Sequence, residues 1–241
     1  MNILVVNDDS IHSPGIALLA REAAKLGKVW VVAPARQCSA MSHRLSINTA
    51  LRVERAADFP APVEGAWSVS GTPADCVKVA LLYLLKEKPD YVFSGINDGY
   101  NVGFDIAYSG TLGAAMEAVM NSVPAIAFSN AHHCSLDLPQ ACLADIAREL
   151  MDKPLGPGKV WNVNFPNVTP GELQGIARDV TIANTQMYRD CYLAEPQSDG
   201  SLILTGRGIP LDPEERVPEG SDIDALRKGF ISIGPVKSAV M

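Results

Sequence analysis

Two adjacent carboxylates, Asp8 and Asp9, follow the apolar run Ile3-Leu4-Val5-Val6. That run reads as a buried strand. Its carboxyl end is where open α/β sheets place their ligands. Adjacent carboxylates repel one another unless something positive holds them, and a divalent cation that takes hard oxygen ligands is the expected partner. The pair points to metal-assisted chemistry.

Three further segments supply groups that suit such a site. The apolar run Lys28 to Pro34 leads into a loop with Ser39 and Ser42. Tyr91-Val92-Phe93 leads into Ser94, Asn97 and Asn101, with Gly95, Gly99 and Gly103 interleaved. A small-residue helix opens at Ser109-Gly110-Thr111. If the strands are parallel, all of these lie at one edge of one sheet. The inventory is carboxylates, hydroxyls, carboxamides and glycines, which suits Mg, Ca or Mn rather than Zn. Glycines let backbone N–H groups approach an anion closely, and the free N–H groups of the helix start can bind a phosphate. Metal and anion cradle together imply phosphate-ester hydrolysis, with a metal-activated water as nucleophile.

Each feature also has a plainer reading. Asn7-Asp8-Asp9 can form an Asx-turn or cap the following helix, and Ser109 reads as a helix cap whatever else it does. Thr72-Pro73-Ala74-Asp75 reads as a capping arrangement rather than a catalytic one. The spaced glycines can build a tight loop. His132-His133-Cys134 reads as a solvated loop, because three adjacent residues of a regular element cannot all face one ion. His12 and His43 read as surface histidines, although either could shuttle protons near neutral pH.

The elements that must position these residues alternate. The helix opening at Ser13-Pro14-Gly15 follows the first strand. Strands are expected at 47–55 and 66–70, a helix from 72 to about 86, strands at 91–93 and 124–128, a helix at 138–151 and a strand at 160–163. This is the βαβ pattern of an α/β fold, a three-layer arrangement with a mostly parallel sheet covered by helices on both faces. After about residue 170 the pattern changes to a hairpin-rich C-terminal extension. Strands are expected there at 175–183, 188–194 and 201–205, followed by a helix near 222–227 and a strand near 230–233. The chain reads as one domain, with a core of about 1–170 and an extension of about 171–241 that builds an oligomer contact.

Composition narrows the class. The 241 residues are 47% hydrophobic, enough for one large core. A formal net charge of -7 disfavours binding to nucleic acid backbones. The five cysteines (Cys38, Cys76, Cys134, Cys142 and Cys191) are odd in number and lack metal-type spacing, so they read as reduced thiols in a cytoplasmic protein. Asp8 and Asp9 interrupt the first apolar stretch, which therefore does not read as a signal peptide, and no apolar run approaches bilayer length.

At these residues the chain resembles the SurE family of metal-dependent survival-protein nucleotidases. The resemblance rests on Asn7-Asp8-Asp9, on Ala33-Pro34-x-Arg36 with Ser39, on Gly71-Thr72-Pro73-Ala74-Asp75-Cys76-Val77 and on Pro89-Asp90. Its most specific part is Ser94-Gly95-Ile96-Asn97-x-Gly99-x-Asn101-x-Gly103 leading into Tyr108-Ser109-Gly110-Thr111. Asn162-Val163-Asn164-x-Pro166 and Gly229-Phe230-Ile231-Ser232 also fit. The resemblance implies a Rossmann-like domain whose C-terminal region exchanges elements between subunits, in a homodimer or homotetramer. It implies a phosphoric monoester hydrolase of the 5′-nucleotidase type, acting on nucleoside monophosphates. It implies one Mg or Mn ion per subunit on Asp8, Asp9, Ser39 and Asn97, with Asn101, Ser109, Gly110 and Thr111 at the phosphate. Asp8, Asp9 and Asn101 would be the catalytic residues. Nucleic acid and membrane are not expected partners.

Some positions depart from the family pattern. Ser10 and Ala40 stand where glycine is usual, Ala35 replaces an expected aspartate, and Gly234-Pro235-Val236 replaces a Thr-Pro-Leu ending. If either glycine position needs positive φ, the side chain there imposes strain of roughly 1–3 kcal/mol. Two other classes fit parts of the pattern. A signalling receiver also places an acidic pair after its first strand, but it is much shorter and lacks the Asn- and Gly-rich loop. A metal- and nucleotide-binding paralogue with weakened catalysis would carry Ser10 and Ala40 as marks of decay, yet all four expected ligands are present.

Overall fold

The computed structural model describes residues 1–153, 155–212 and 214–238. In chain order the elements are β1 (Asn2–Val6), α1 (Pro14–Ala24), β2 (Lys28–Pro34), β3 (Val53–Arg55), β4 (Gly65–Val69) and α2 (Pro73–Val79). There follow β5 (Tyr91–Asp98), α3 (Gly110–Met120), β6 (Ala125–Asn130), α4 (Asp137–Met151) and β7 (Lys159–Phe165). The chain closes with β8 (Gly175–Arg178), β9 (Tyr188–Pro196), β10 (Leu202–Pro210), α5 (Asp222–Arg227) and β11 (Phe230–Lys237).

The main sheet runs β3-β4-β2-β1-β5-β6-β7-β11-β8. Strands β4, β2, β1, β5, β6 and β7 are mutually parallel, so their carboxyl ends share one edge. β3 runs antiparallel to β4, and β11 antiparallel to β7. The order reverses at β1, which lies between β2 and β5. Alternation along β1 explains the layering. Ile3 and Val5 pack with α1 and α4 residues such as Leu19, Leu143 and Leu150. Leu4 and Val6 pack on the opposite face with Val77 of α2 and Leu112 and Ala115 of α3. Both faces are apolar because both are covered, the ordinary condition of a parallel sheet.

Local signals account for the helix starts. Ser13 caps α1 by accepting the Ile16 N–H, with Pro14 at the first helical position. Thr72 and Asp75 form the reciprocal capping box expected from their spacing. Several bounds differ from the sequence reading. α2 ends at Val79 and widens into a π-helical turn, Ala80–Leu84, that leaves Leu82 and Tyr83 exposed. Only Val53–Arg55 of the stretch 47–55 pairs with a neighbour. β8 stops at Arg178 because Asp179 turns the chain at φ 55°. β5 extends through Ser94-Gly95-Ile96-Asn97 to Asp98, with a shift of register against β6 between Ser94 and Asn97. Polar and glycine residues hide that extension from a propensity reading.

Beyond residue 170 the chain does not leave the core for good. β11 and β8 extend the main sheet, while β9 and β10 pair only with each other as a separate ribbon. The ribbon exposes Leu193, Leu202, Ile203, Leu204 and Ile209.

Candidate metal and phosphate site

Asp8 and Asp9 leave β1 at the carboxyl edge, beside the ends of β2 and β5. Asp8 is almost fully buried, only 5% exposed. Its Oδ1 accepts a hydrogen bond from the Thr111 hydroxyl at 2.7 Å. Its backbone carbonyl accepts the Cys38 N–H at 2.7 Å, which fastens the loop after β2 to the loop after β1. Gly110 lies against the same carboxylate. A Cβ placed there would stand 3.1 Å from both Cβ and Oδ2 of Asp8. The first turn of α3 is thus in contact with Asp8.

Burial pushes the Asp8 carboxyl up to about 7. The Thr111 hydroxyl pulls in the other direction, and the charge of Asp9 adds to the rise. Asp9 is more open. Its Oδ2 accepts the Asp98 N–H at 2.8 Å and its Oδ1 accepts from Gln37 Nε2 at 3.4 Å. Burial also raises the Asp9 carboxyl; the Asp98 N–H opposes this, and the charge of Asp98 adds to it. Among the described residues, no lysine or arginine pairs with either carboxylate. An acid pair with one member buried and no lysine or arginine paired to it fits a divalent cation as its missing counter-charge.

The other two expected ligands are sequence neighbours of residues bonded to this pair: Ser39 follows Cys38 and Asn97 precedes Asp98. Asn97 sits near the end of β5, and its Nδ2 donates to the Gly99 carbonyl at 2.7 Å. That bond commits the nitrogen and leaves Oδ1 as the group available to a cation. Ser39 is exposed and follows Cys38, the residue bonded to Asp8. The serine makes no hydrogen bond of its own to the pair among the described contacts. The loop that carries it is fastened to the turn just before α3: the Ser42 N–H donates to the Tyr108 carbonyl and the Ser42 hydroxyl to the Ala107 carbonyl, each at 2.9 Å. His43 sits 2.8 Å from buried Glu117, which Lys78 also approaches at 3.1 Å. Burial works against the Glu117 charge, but hydrogen bonds from His43, Lys78 and Asn121 overcome it and hold the carboxyl below its ordinary range. His43 therefore anchors the loop; His12 is exposed.

Ser109 is the N-cap of α3 and accepts the Leu112 N–H at 3.1 Å, so the capping reading of this serine holds. Gly110 and Thr111 occupy the first turn, where backbone N–H groups have no partner within the helix. Asn101 is held elsewhere. Its N–H donates to Asn164 Oδ1 and its Nδ2 to the Ser129 hydroxyl, while its carbonyl accepts from Asn162 and Asn164. These bonds fasten the Asn-rich loop to the ends of β6 and β7; none joins Asn101 to the acidic pair.

The sequence reading missed Gln37 and Asp98 as partners of Asp9, and it missed the Ser129–Asn162–Asn164 anchor. Asn162-x-Asn164 was visible as a motif, but its role needed the neighbouring strands. Two departures from the family pattern have the consequence expected of them: Ser10 stands at φ 92° and Ala40 at φ 54°. His132 and His133 lie on an exposed loop, as expected, yet both rings turn toward Asp98.

The profile of the family described as Survival protein SurE matches residues 3–190, from the first strand into the β9–β10 ribbon. The chain belongs to the SurE family. The 5′-nucleotidase SurE of Moorella thermoacetica is 40% identical over 240 residues, a match that covers 98% of this chain and 90% of that protein. The 5′-nucleotidase SurE of Geobacter sulfurreducens is 38% identical over 244 residues, with 98% and 87% covered. The crystal structure of the SurE protein from Aquifex aeolicus superposes with a TM-score of 0.82 at 31% identity, covering 98% of this chain and 93% of that one. The α/β architecture is therefore that of SurE proteins.

Proposed function

We propose that this SurE-family chain is a metal-dependent nucleotidase that hydrolyses nucleoside monophosphates to nucleoside and phosphate. One observation carries the reading. The buried Asp8 carboxylate, lacking a cationic side chain, is bonded directly to Thr111 in the first turn of α3. A cation-seeking group and a phosphate-seeking helix start are thereby parts of one site.

Asp8, Asp9, Ser39 and Asn97 would hold one Mg or Mn ion. When bound, such an ion neutralises phosphate charge and lowers the pKa of water. The chain supplies the rest. Backbone N–H groups at Gly110 and Thr111 orient the phosphoryl group and stabilise its growing negative charge, assisted by the helix dipole. The Thr111 hydroxyl fixes one oxygen of Asp8. Gly110 lets the helix start approach that carboxylate without a Cβ between them. An aspartate of the pair accepts the proton of the attacking water. The cap at Ser109 fixes the start of α3, and Asn101, held by Ser129, Asn162 and Asn164, would help to orient the phosphoryl group.

The apolar residues of β9 and β10 support a homodimer or homotetramer built through that ribbon. Five free cysteines accord with a cytoplasmic setting. Among the described residues no helix is long and apolar enough to cross a membrane.

The test is phosphate release from 5′- and 3′-nucleoside monophosphates with Mg, Mn or EDTA, for wild type and Asp9→Asn. Metal-dependent release that disappears in the folded variant is the expected result. Absence of release from every substrate with either metal, from folded wild-type protein, would overturn the proposal.

A further inference from the structure

We propose that Asp98, His132 and His133 form a second cation site, for one divalent transition ion that prefers imidazole, such as Zn, Co or Ni. It lies at the rim of the oxygen-rich site and does not depend on the nucleotidase reading.

Strand register creates the cluster. Asp98, the last residue of β5, stands opposite Asn130, the last residue of β6, and the Gly99 N–H donates to the Asn130 carbonyl at 3.0 Å. The turn after β6 therefore begins beside Asp98. Side chains of consecutive residues point to opposite sides along a strand. Here His133 has φ 54°, a left-handed conformation that histidine tolerates better than most residues. The two rings consequently stack, with centroids 3.7 Å apart and planes 29° apart.

Both imidazoles present Nδ1 to the same carboxylate oxygen. His132 Nδ1 is 3.3 Å from Asp98 Oδ2 and His133 Nδ1 is 3.1 Å from it. The carboxylate is itself pinned, because Oδ1 accepts the His133 N–H at 2.6 Å. The three ligand atoms all lie within 4.8 Å of one another. Ligands about 2.0–2.1 Å from a tetrahedral ion stand roughly 3.3–3.4 Å apart, close to both nitrogen–oxygen spacings.

Two imidazoles and one carboxylate make an open transition-metal set, with positions left for water. All three residues are exposed, so an ion can enter and leave freely. The neighbouring site offers oxygen alone. The two sites thus separate ions by ligand chemistry, hard ions going to Asp8 and Asp9 and borderline ions to the histidines. They are also coupled in position, because the Asp98 N–H is bonded to Asp9.

The experiment titrates Zn²⁺ into the full chain in saturating Mg²⁺, followed by calorimetry and by ¹H–¹⁵N spectra of the histidine rings. Wild type should bind one zinc ion that magnesium does not displace, with ring nitrogens of His132 and His133 shifting and those of His12 and His43 unmoved. His132→Ala/His133→Ala, which changes only exposed side chains, should weaken binding by more than the roughly 10–100-fold that loss of a supporting residue costs. The same variant should keep its Mg²⁺ binding. Zinc binding of equal strength in the variant would overturn the proposal. So would failure of wild type to bind zinc beside magnesium, which would leave the cluster as a local hydrogen-bonded contact of the histidines with Asp98.

Discussion

Asp8→Asn should change how the stability of the metal-free protein depends on pH. In the folded chain burial holds the Asp8 carboxyl at about 7, against an ordinary 3.8. Between those values the unfolded chain has released this proton and the folded chain still holds it. The folded state is therefore favoured at low pH and loses that advantage as pH rises through 7. At roughly 1.36 kcal/mol per pH unit, the full loss is about 4 kcal/mol. Asp9 is raised too and acts in the same direction. Asparagine cannot ionise, and its carbonyl can still accept the Thr111 hydroxyl. Urea unfolding in EDTA, from pH 4.5 to 8, should show Asp8→Asn gaining on wild type by about 3 kcal/mol toward neutral pH, the part of the full loss that falls above pH 4.5. Taking the difference between the two proteins cancels carboxylates of opposite sign, such as Glu149, held down to about 2 by Arg178 and Lys153. Magnesium should reverse the order near neutral pH, since it stabilises only a protein that binds it. Parallel profiles across the whole pH range in EDTA would refute the claim that Asp8 is an uncompensated buried acid.

Three further outcomes follow from the same geometry. Thr111→Val keeps the shape of the side chain but removes the 2.7 Å bond to Asp8; stability should fall by about 1.5–3 kcal/mol at pH 8, and phosphate release should fall with it. Gly110→Ala should reduce turnover with little change in melting temperature, because the new Cβ meets Asp8 at 3.1 Å while alanine favours the helix; unchanged turnover would show that the contact is idle. Ser10→Gly should stabilise the protein by roughly 1 kcal/mol in urea unfolding, since φ 92° is strained for serine, and a loss of stability would mean that the Ser10 hydroxyl contact to the His12 N–H outweighs the strain.

Local rules made much of this protein legible from residues alone. The β-branched run Ile3 to Val6, the caps at Ser13, Thr72 and Ser109 and the alternation of strand and helix are short-range signals. They were enough to place Asp8, Asn97 and Thr111 at one edge of a parallel sheet. Residue type was enough to expect hard-oxygen chemistry there, while strain at Ser10 and Ala40 could be posed only as a condition, through the family's glycines, until the backbone showed positive φ at both. Contacts between strands lay beyond such reasoning. Nothing in the sequence says that Asn101 is fastened to Ser129 and Asn164, that Gln37 reaches Asp9, or that β11 returns to pair with β7. Each of these depends on which strands become neighbours and in what register, a decision made by the packing of the whole sheet. The left-handed turn at His133 shows the difference most sharply: His132 and His133 both face Asp98 once the backbone reverses beside it, while Cys134 turns to Asn167. Types and spacings determined the chemistry on offer, and only tertiary structure decided which groups meet, because a meeting requires long-range register and burial that no single segment encodes.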